Sequence, residues 1–265
     1  MANRVRIGAP PMMNNRPLIW GLKEKLAGKG TLVQEKPPVV VEKLRAAELD
    51  VALIPSLEYL RNSDYEMVPE ACVSARGPLM SAILICRRPP AAMETVALDT
   101  ASSSAAALCR IILHKMHSAN PSFIDWSPDI PLESVNAEGF LVFGDTAIKM
   151  WPRYEHIIDL GEEWLRLTDL PFVYDVWAGP SVSTPTAKLL QEAKRQGLHH
   201  LSRIAWMEAE RLDLPTSICL DHLTNRIHYD FGEAEREGLS RFQRLAAEME
   251  LCPSPSEREV PILGT

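Results

Sequence analysis

The side chains able to do chemistry in this chain are polar groups at the ends of apolar runs. Asn14, Asn15 and Arg16 follow the run Val5-Arg6-Ile7-Gly8 and precede Pro17. Ser56 follows Ile54-Pro55, and Ser81 ends the stretch Gly77-Pro78-Leu79-Met80. Ser102, Ser103 and Ser104 come directly after the run at 95–99, and Gly144-Asp145 after the run at 139–143. Amides, hydroxyls and open backbone N–H groups at strand ends can hold a carboxylate or a developing charge. Strand ends are also where ligands bind in open α/β sheets.

Each of these groups also has a purely structural reading. Asn and Pro fill turns for local reasons, but a serine in an apolar strand must satisfy its hydroxyl, which favours a ligand contact at Ser81. Ser81 lacks a G-x-S-x-G setting, which argues against a hydrolase nucleophile. One serine suffices for an N-cap, so three in succession leave an anion site at the helix N-terminus open beside the plain cap. Asp145 reads as an N-cap rather than a base, and Gly144 permits close approach of a ligand to the backbone. His114 with His117, and the adjacent His199 and His200, have no third ligand and read as surface or packing residues. Trp164, Trp177 and Trp206 read as core.

The elements that must position these groups alternate. Strands are expected at 50–54, 79–86, 95–98, 139–143, 156–160 and 171–178, and a long helix at 102–117. The last third reads as helical over 186–211, 216–225 and 233–251, interrupted by an extended piece at 227–231. This alternation predicts an α/β protein with largely parallel sheets. Composition breaks at Arg87-Arg88-Pro89-Pro90 and Gly179-Pro180 suggest two interdomain crossings. The expected division is a discontinuous first lobe, 1–94 plus 180–265, and an inserted second lobe, 95–179, with a ligand in the cleft between them.

Composition narrows the partners. The net charge of −7, with basic residues scattered, argues against a nucleic-acid surface. No apolar run approaches the roughly 20 residues of a membrane span. The N-terminal residues show no apolar leader, and the five cysteines share no CxxC spacing. The expectation is a cytoplasmic protein with reduced thiols, a small-molecule partner, and neither a metal site nor a nucleic-acid or membrane partner.

Taken in order, these segments resemble the chorismate dehydratase family of the futalosine route to menaquinone. The resemblance rests on Asn14-Asn15-Arg16-Pro17-Leu18, Asp50 to Ser56, Gly77-Pro78 with Ser81, Asp99 with Ser102 and Ser104, and Gly144-Asp145 with Ala147. It continues through Asp159-Leu160-Gly161 with Trp164, then Leu170 to Val173 with Trp177, and Ile227 to Phe231 leading to Gly238-Leu239 and Phe242. The chain departs from that pattern at Met12-Met13, Ser103 and Ala105. The resemblance implies a two-lobed fold of the type II periplasmic-binding-protein kind with an interdomain cleft. It also implies a hydro-lyase that removes water from chorismate without metal or organic cofactor. Asn14 and Ser81 are the expected catalytic residues; Ser56, Gly77, Ser102, Ser103, Ser104, Gly144 and Asp145 are the expected substrate contacts. Two alternatives stand beside it: a non-catalytic binding protein for a small carboxylate, and the related 1,4-dihydroxy-6-naphthoate synthase, whose Ser-Pro-Cys-Pro type opening is not matched here.

Overall fold

A computed structural model describes residues 4–254. Ten strands build two sheets: β1 (Val5–Gly8), β2 (Gly30–Val33), β3 (Val51–Pro55), β4 (Glu66–Ala75), β5 (Ala82–Cys86), β6 (Thr95–Asp99), β7 (Ser122–Trp126), β8 (Gly139–Phe143), β9 (Ile157–Asp159) and β10 (Phe172–Gly179). The first sheet has the order β2-β1-β3-β10-β4 and the second β7-β6-β8-β5-β9. Each is mixed rather than largely parallel. Strand β1 pairs in parallel with β2 and β3, whereas β10 runs antiparallel to both β3 and β4. In the second sheet β6 is parallel to β7 and β8, and β5 is antiparallel to β8 and β9. The antiparallel strands in each sheet adjoin the places where the chain passes to the other one.

Those passages fall at 76–81 and 169–171. Strand β5 lies in the second sheet and β10 in the first, so the sheets divide the chain earlier than the breaks at Arg87–Pro90 and Gly179–Pro180. Two short links, Gly77-Pro78 and Leu170-Pro171, carry the chain across. The Arg87–Pro90 stretch instead leads into a surface 3-10 turn, Pro90–Ala92, before β6.

Strand β3 is buried throughout and β10 is buried along its whole length, as central strands covered on both faces must be. The helices Pro37–Arg45, Thr184–His199 and Glu233–Glu248 cover the first sheet, packing on β3, β4 and β10 respectively. The expected helix at 186–211 is two, Thr184–His199 and Leu201–Leu212, broken at His200. Helix Ser103–His117 packs against β8 of the second sheet, but also against β10 and helix Glu233–Glu248 of the first. One apolar cluster consequently runs through both halves of the molecule, from Ile7 and Val51 to Leu108 and Leu141. Trp164 and Trp177 belong to it, completely buried. Trp206 does not: on helix Leu201–Leu212 it is 54% exposed. The extended piece at 227–231 makes only a single bridge, between His228 and Ser74. No helix among the described residues is long and apolar enough to cross a membrane.

Candidate active site

Asn14 stands in a 3-10 turn, Met13–Asn15, beyond the C-terminal end of β1. The turn is closed by Asn15 N–H donating to the Met12 carbonyl at 3.0 Å. Asn15 also donates its side-chain amide to the Pro10 carbonyl at 3.1 Å, which anchors the loop to itself. Asn14 is left to reach outward. Its Nδ2 donates to Ser81 Oγ at 3.3 Å, and its Oδ1 lies 2.7 Å from Nε2 of His222. All three side chains are buried.

Ser81 is held by its own loop. Asp159, at the end of β9, accepts the Leu79 and Met80 N–H groups with Oδ2 at 2.9 and 2.7 Å. Its Oδ1 caps the helix Leu160–Thr168, accepting from Gly161 and Glu162. The loop needs left-handed backbone at Gly77 (φ +109°) and at Met80 (φ +67°), a conformation that costs a non-glycine residue free energy unless its surroundings enforce it. Asp159 supplies that enforcement. Burial raises its carboxyl pKa, and the four N–H donors oppose that rise.

The third segment joins at the Ser81 carbonyl, which accepts the Gly144 N–H at 2.7 Å. Gly144 has φ +69°, and a Cβ there would collide with the methyl group of Met12. Asp145 does not cap its helix. Its Oδ1 accepts the Met13 N–H at 3.0 Å, and its Oδ2 accepts from Arg211 at 2.6 Å. Arg211 also bonds Glu208, whose other oxygen accepts from Arg16 at 2.7 Å. Asp145 thus straps the second sheet to the Asn14 loop and to helix Leu201–Leu212, so the N-cap reading is corrected.

The serines form a separate cluster. Ser56 Oγ donates to the Val173 carbonyl at 2.6 Å and lies 3.1 Å from Ser104 Oγ. Ser104 also accepts the Leu57 N–H at 3.0 Å. Ser102 is the N-cap of helix Ser103–His117, accepting from Ala105 at 3.2 Å. Ser103 Oγ is different: buried, with no hydrogen-bond partner. Nearby on β6, Asp99 accepts from Ala101 and Phe143, and burial pushes its carboxyl up to about 6.

Four expected residues therefore meet through direct bonds: Asn14 with Ser81, Ser81 with Gly144, and Asp145 with the loop that carries Asn14. Ser56 and Ser104 are brought together with their hydroxyls already engaged, and Ser102 is spent on capping its own helix. Gly77 serves the turn that delivers Ser81. His222 and Arg211 were not expected. His222 lies 208 residues from Asn14 in a polar helical stretch, where neither spacing nor composition distinguishes it. Burial drives its pKa down to about 3, so the imidazole is neutral, and because Asn14 Oδ1 can only accept, Nε2 carries the proton. His114 bonds Asn120 and His200 stacks on Trp20. No cluster of His, Cys, Asp or Glu among the described residues could hold a metal ion.

Residues 5–248 match the family model described as menaquinone biosynthesis. The chain belongs to that family. A curated relative, the chorismate dehydratase of Thermus thermophilus, is 30% identical over 258 residues, spanning 89% of this chain and 93% of the relative. Among solved structures, the alkanesulfonate-binding protein SsuA from Xanthomonas axonopodis pv. citri superposes with a TM-score of 0.72 at 15% identity, covering 95% of this chain and 94% of that one. A Candida albicans protein described as exhibiting the generic periplasmic binding protein fold gives 0.65 at 12% identity, covering 93% and 90%. The menaquinone biosynthesis family member thus has the two-lobed periplasmic-binding-protein fold, and identities this low speak to fold alone.

Proposed function

We propose that the protein is a hydro-lyase that converts chorismate to 3-[(1-carboxyvinyl)oxy]benzoate. The observation that carries this reading is the Asn14–Ser81 pair spanning the seam between the lobes, in a chain related along nearly its whole length to a chorismate dehydratase.

Chorismate carries a hydroxyl at C4 of a cyclohexadiene and an enolpyruvyl ether at C3. Loss of the C3 proton lets that C–H electron pair form the last ring double bond as the C4–O bond breaks. Hydroxide leaves, takes up a proton and becomes water. The ring becomes aromatic, so the driving force lies in the substrate, and the protein must position it and stabilise the developing charge.

Three of the protein's carboxylates around the seam are occupied: Asp145 by Arg211 and Met13, Asp159 by four backbone N–H groups, Asp99 by two. His222 is bonded to Asn14. This supports the substrate's enolpyruvyl carboxylate, folded over C3–H, as the base. Asn14 and Ser81 would then orient that carboxylate and donate to the leaving hydroxyl. The unpartnered Ser103 hydroxyl, at the start of a 15-residue helix, would take the ring carboxylate, framed by Ser56, Ser102 and Ser104. Gly77, Gly144 and Asp145 would shape the walls. The five cysteines are all free thiols, which supports a reducing, cytoplasmic compartment.

The test is purified protein with chorismate, followed by absorbance and mass, alongside Asn14→Ala and Ser81→Ala. The reading requires an aromatic product one water lighter than chorismate, and both variants must lose turnover. Tight binding of chorismate without turnover would leave a binding protein instead.

A further inference from the structure

The imidazole of His222 is completely buried, yet only one of its nitrogens is hydrogen-bonded. Nδ1 makes no hydrogen bond of normal geometry, only a weak polar contact with the Leu79 backbone. A leucine would fill that space without burying an unpaired polar atom, so packing alone gives no reason for a histidine here. What the histidine adds is one N–H aimed at Asn14 Oδ1 at 2.7 Å.

The local backbone is built for that aim. Helix Thr216–Asp221 passes into a π-helical turn, His222–Arg226, closed by Ile227 N–H donating to the His222 carbonyl at 3.1 Å. Such turns are rare and recur at functional sites. Arg226 ties the turn in two directions, to Asp221 at 2.7 Å and to the Pro78 carbonyl at 3.3 Å. Pro78 belongs to the loop that ends in Ser81. The turn that carries His222 and the loop that carries Ser81 are thus fixed to each other, with Asn14 held between them.

A side-chain amide has two orientations of nearly equal shape and opposite hydrogen-bonding sense. With His222 donating to Oδ1, the amide presents its N–H side to Ser81. Without that donor, the amide can turn and present a carbonyl, which would repel the substrate's carboxylates and accept where a donor is needed.

We propose that His222 is a positioning residue that fixes the orientation of the Asn14 amide, keeping its N–H groups toward Ser81 and the reacting centre. It rests on the assignment of Asn14 to the dehydration of chorismate. The imidazole takes no proton from the substrate and contributes through Asn14 alone.

The experiment measures kcat and KM with chorismate for wild type, His222→Leu, His222→Gln, Asn14→Ala and the double variant Asn14→Ala/His222→Leu. A glutamine can place an N–H where Nε2 stands; a leucine cannot. His222→Leu should lower kcat about tenfold or more, the worth of one well-placed buried hydrogen bond, with KM changed less than about twofold. His222→Gln should recover to within about threefold of wild type, and His222→Leu should cost less than about twofold once Asn14 is already alanine. Equal losses in the leucine and glutamine variants, or the full leucine loss persisting in the Asn14→Ala background, would overturn the proposal. If His222→Leu does not fold, His222→Asn replaces it: its N–H mimics the Nδ1 position, so it should be as impaired as glutamine is not. Native turnover in Asn14→Ala would instead overturn the reading of Asn14 itself. A dead Asn14→Ala beside a native His222→Leu would sink only the role of His222.

Discussion

Two hydrogen-bonded clusters join the halves of this molecule, and they spend their polar groups differently. At Ser56 and Ser104, the hydroxyls satisfy each other, the Val173 carbonyl and the Leu57 N–H. At Asn14 and Ser81, the bonds run between side chains from three distant segments, with His222 behind them. The first cluster closes on the backbone and leaves only the neighbouring Ser103 hydroxyl for a ligand. The second keeps a long, 3.3 Å contact between two groups that can both donate, the kind of contact a substrate oxygen can enter. The difference separates polar residues that hold the fold from polar residues available to chemistry, though both kinds are equally buried.

Substitution in the two clusters should therefore divide cleanly between activity and stability. The largest effect is expected for Asn14→Ala and Ser81→Ala: about 100- to 1,000-fold in kcat, the usual loss when one donor to a developing charge is removed, read in steady-state kinetics with chorismate. Ser56→Ala at native turnover and Asn14→Ala at native turnover would together erase the distinction.

Next in size is a stability effect beside the serine cluster. Asp175 sits on β10 two residues from Val173, and burial pushes its carboxyl up to about 7 from 3.8. A folded-state pKa above the unfolded value means the folded protein binds the proton more tightly. Asp175 therefore costs stability as pH rises from about 4 to 7, by up to about 4 kcal/mol at pH 7 and above. Asp175→Asn should raise the Tm at pH 8 and lose that gain progressively toward pH 4. A gain that does not change with pH would contradict this account of the carboxyl.

Ser104→Ala comes third. It removes partners from Ser56 and from the Leu57 N–H, and should cost about 1–3 kcal/mol in denaturant unfolding while kcat stays within about threefold of wild type. A collapse of kcat with stability intact would move Ser104 into the chemistry. The smallest effect belongs to Arg211→Ala. It breaks a half-exposed strap, so a loss below about 1 kcal/mol is expected, with a modest rise in KM as Asp145 loses one of its two partners.

Strand-end position made Asn14, Ser81 and Gly144 legible in sequence, because a polar side chain directly after an apolar run lands at the rim of a sheet. The hydroxyl-rich helix start was legible for the same reason. How its serines divide was not: Ser102 as N-cap, Ser104 bonded across to Leu57 and Ser103 left free depend on which face of the helix meets the other lobe. His222 was hidden because its partner is 208 residues away, and nothing local marks a histidine that will be buried. The sheet crossings were misplaced because Pro-rich composition marks any turn. The Arg87–Pro90 turn stays at the surface, whereas the shorter Gly77-Pro78 and Leu170-Pro171 links change sheets. Trp206 shows the same limit, since aromatic character suggested core and the helix face turned it to solvent.

The central claim is that the Asn14–Ser81 seam dehydrates chorismate. Its most direct measurement is the mass and absorbance of the product formed when the wild-type protein is mixed with chorismate. The account predicts an aromatic enol ether one water lighter than the substrate, formed by wild type and lost in Asn14→Ala. Chorismate recovered unchanged, or converted only to an isomer of the same mass, would contradict it.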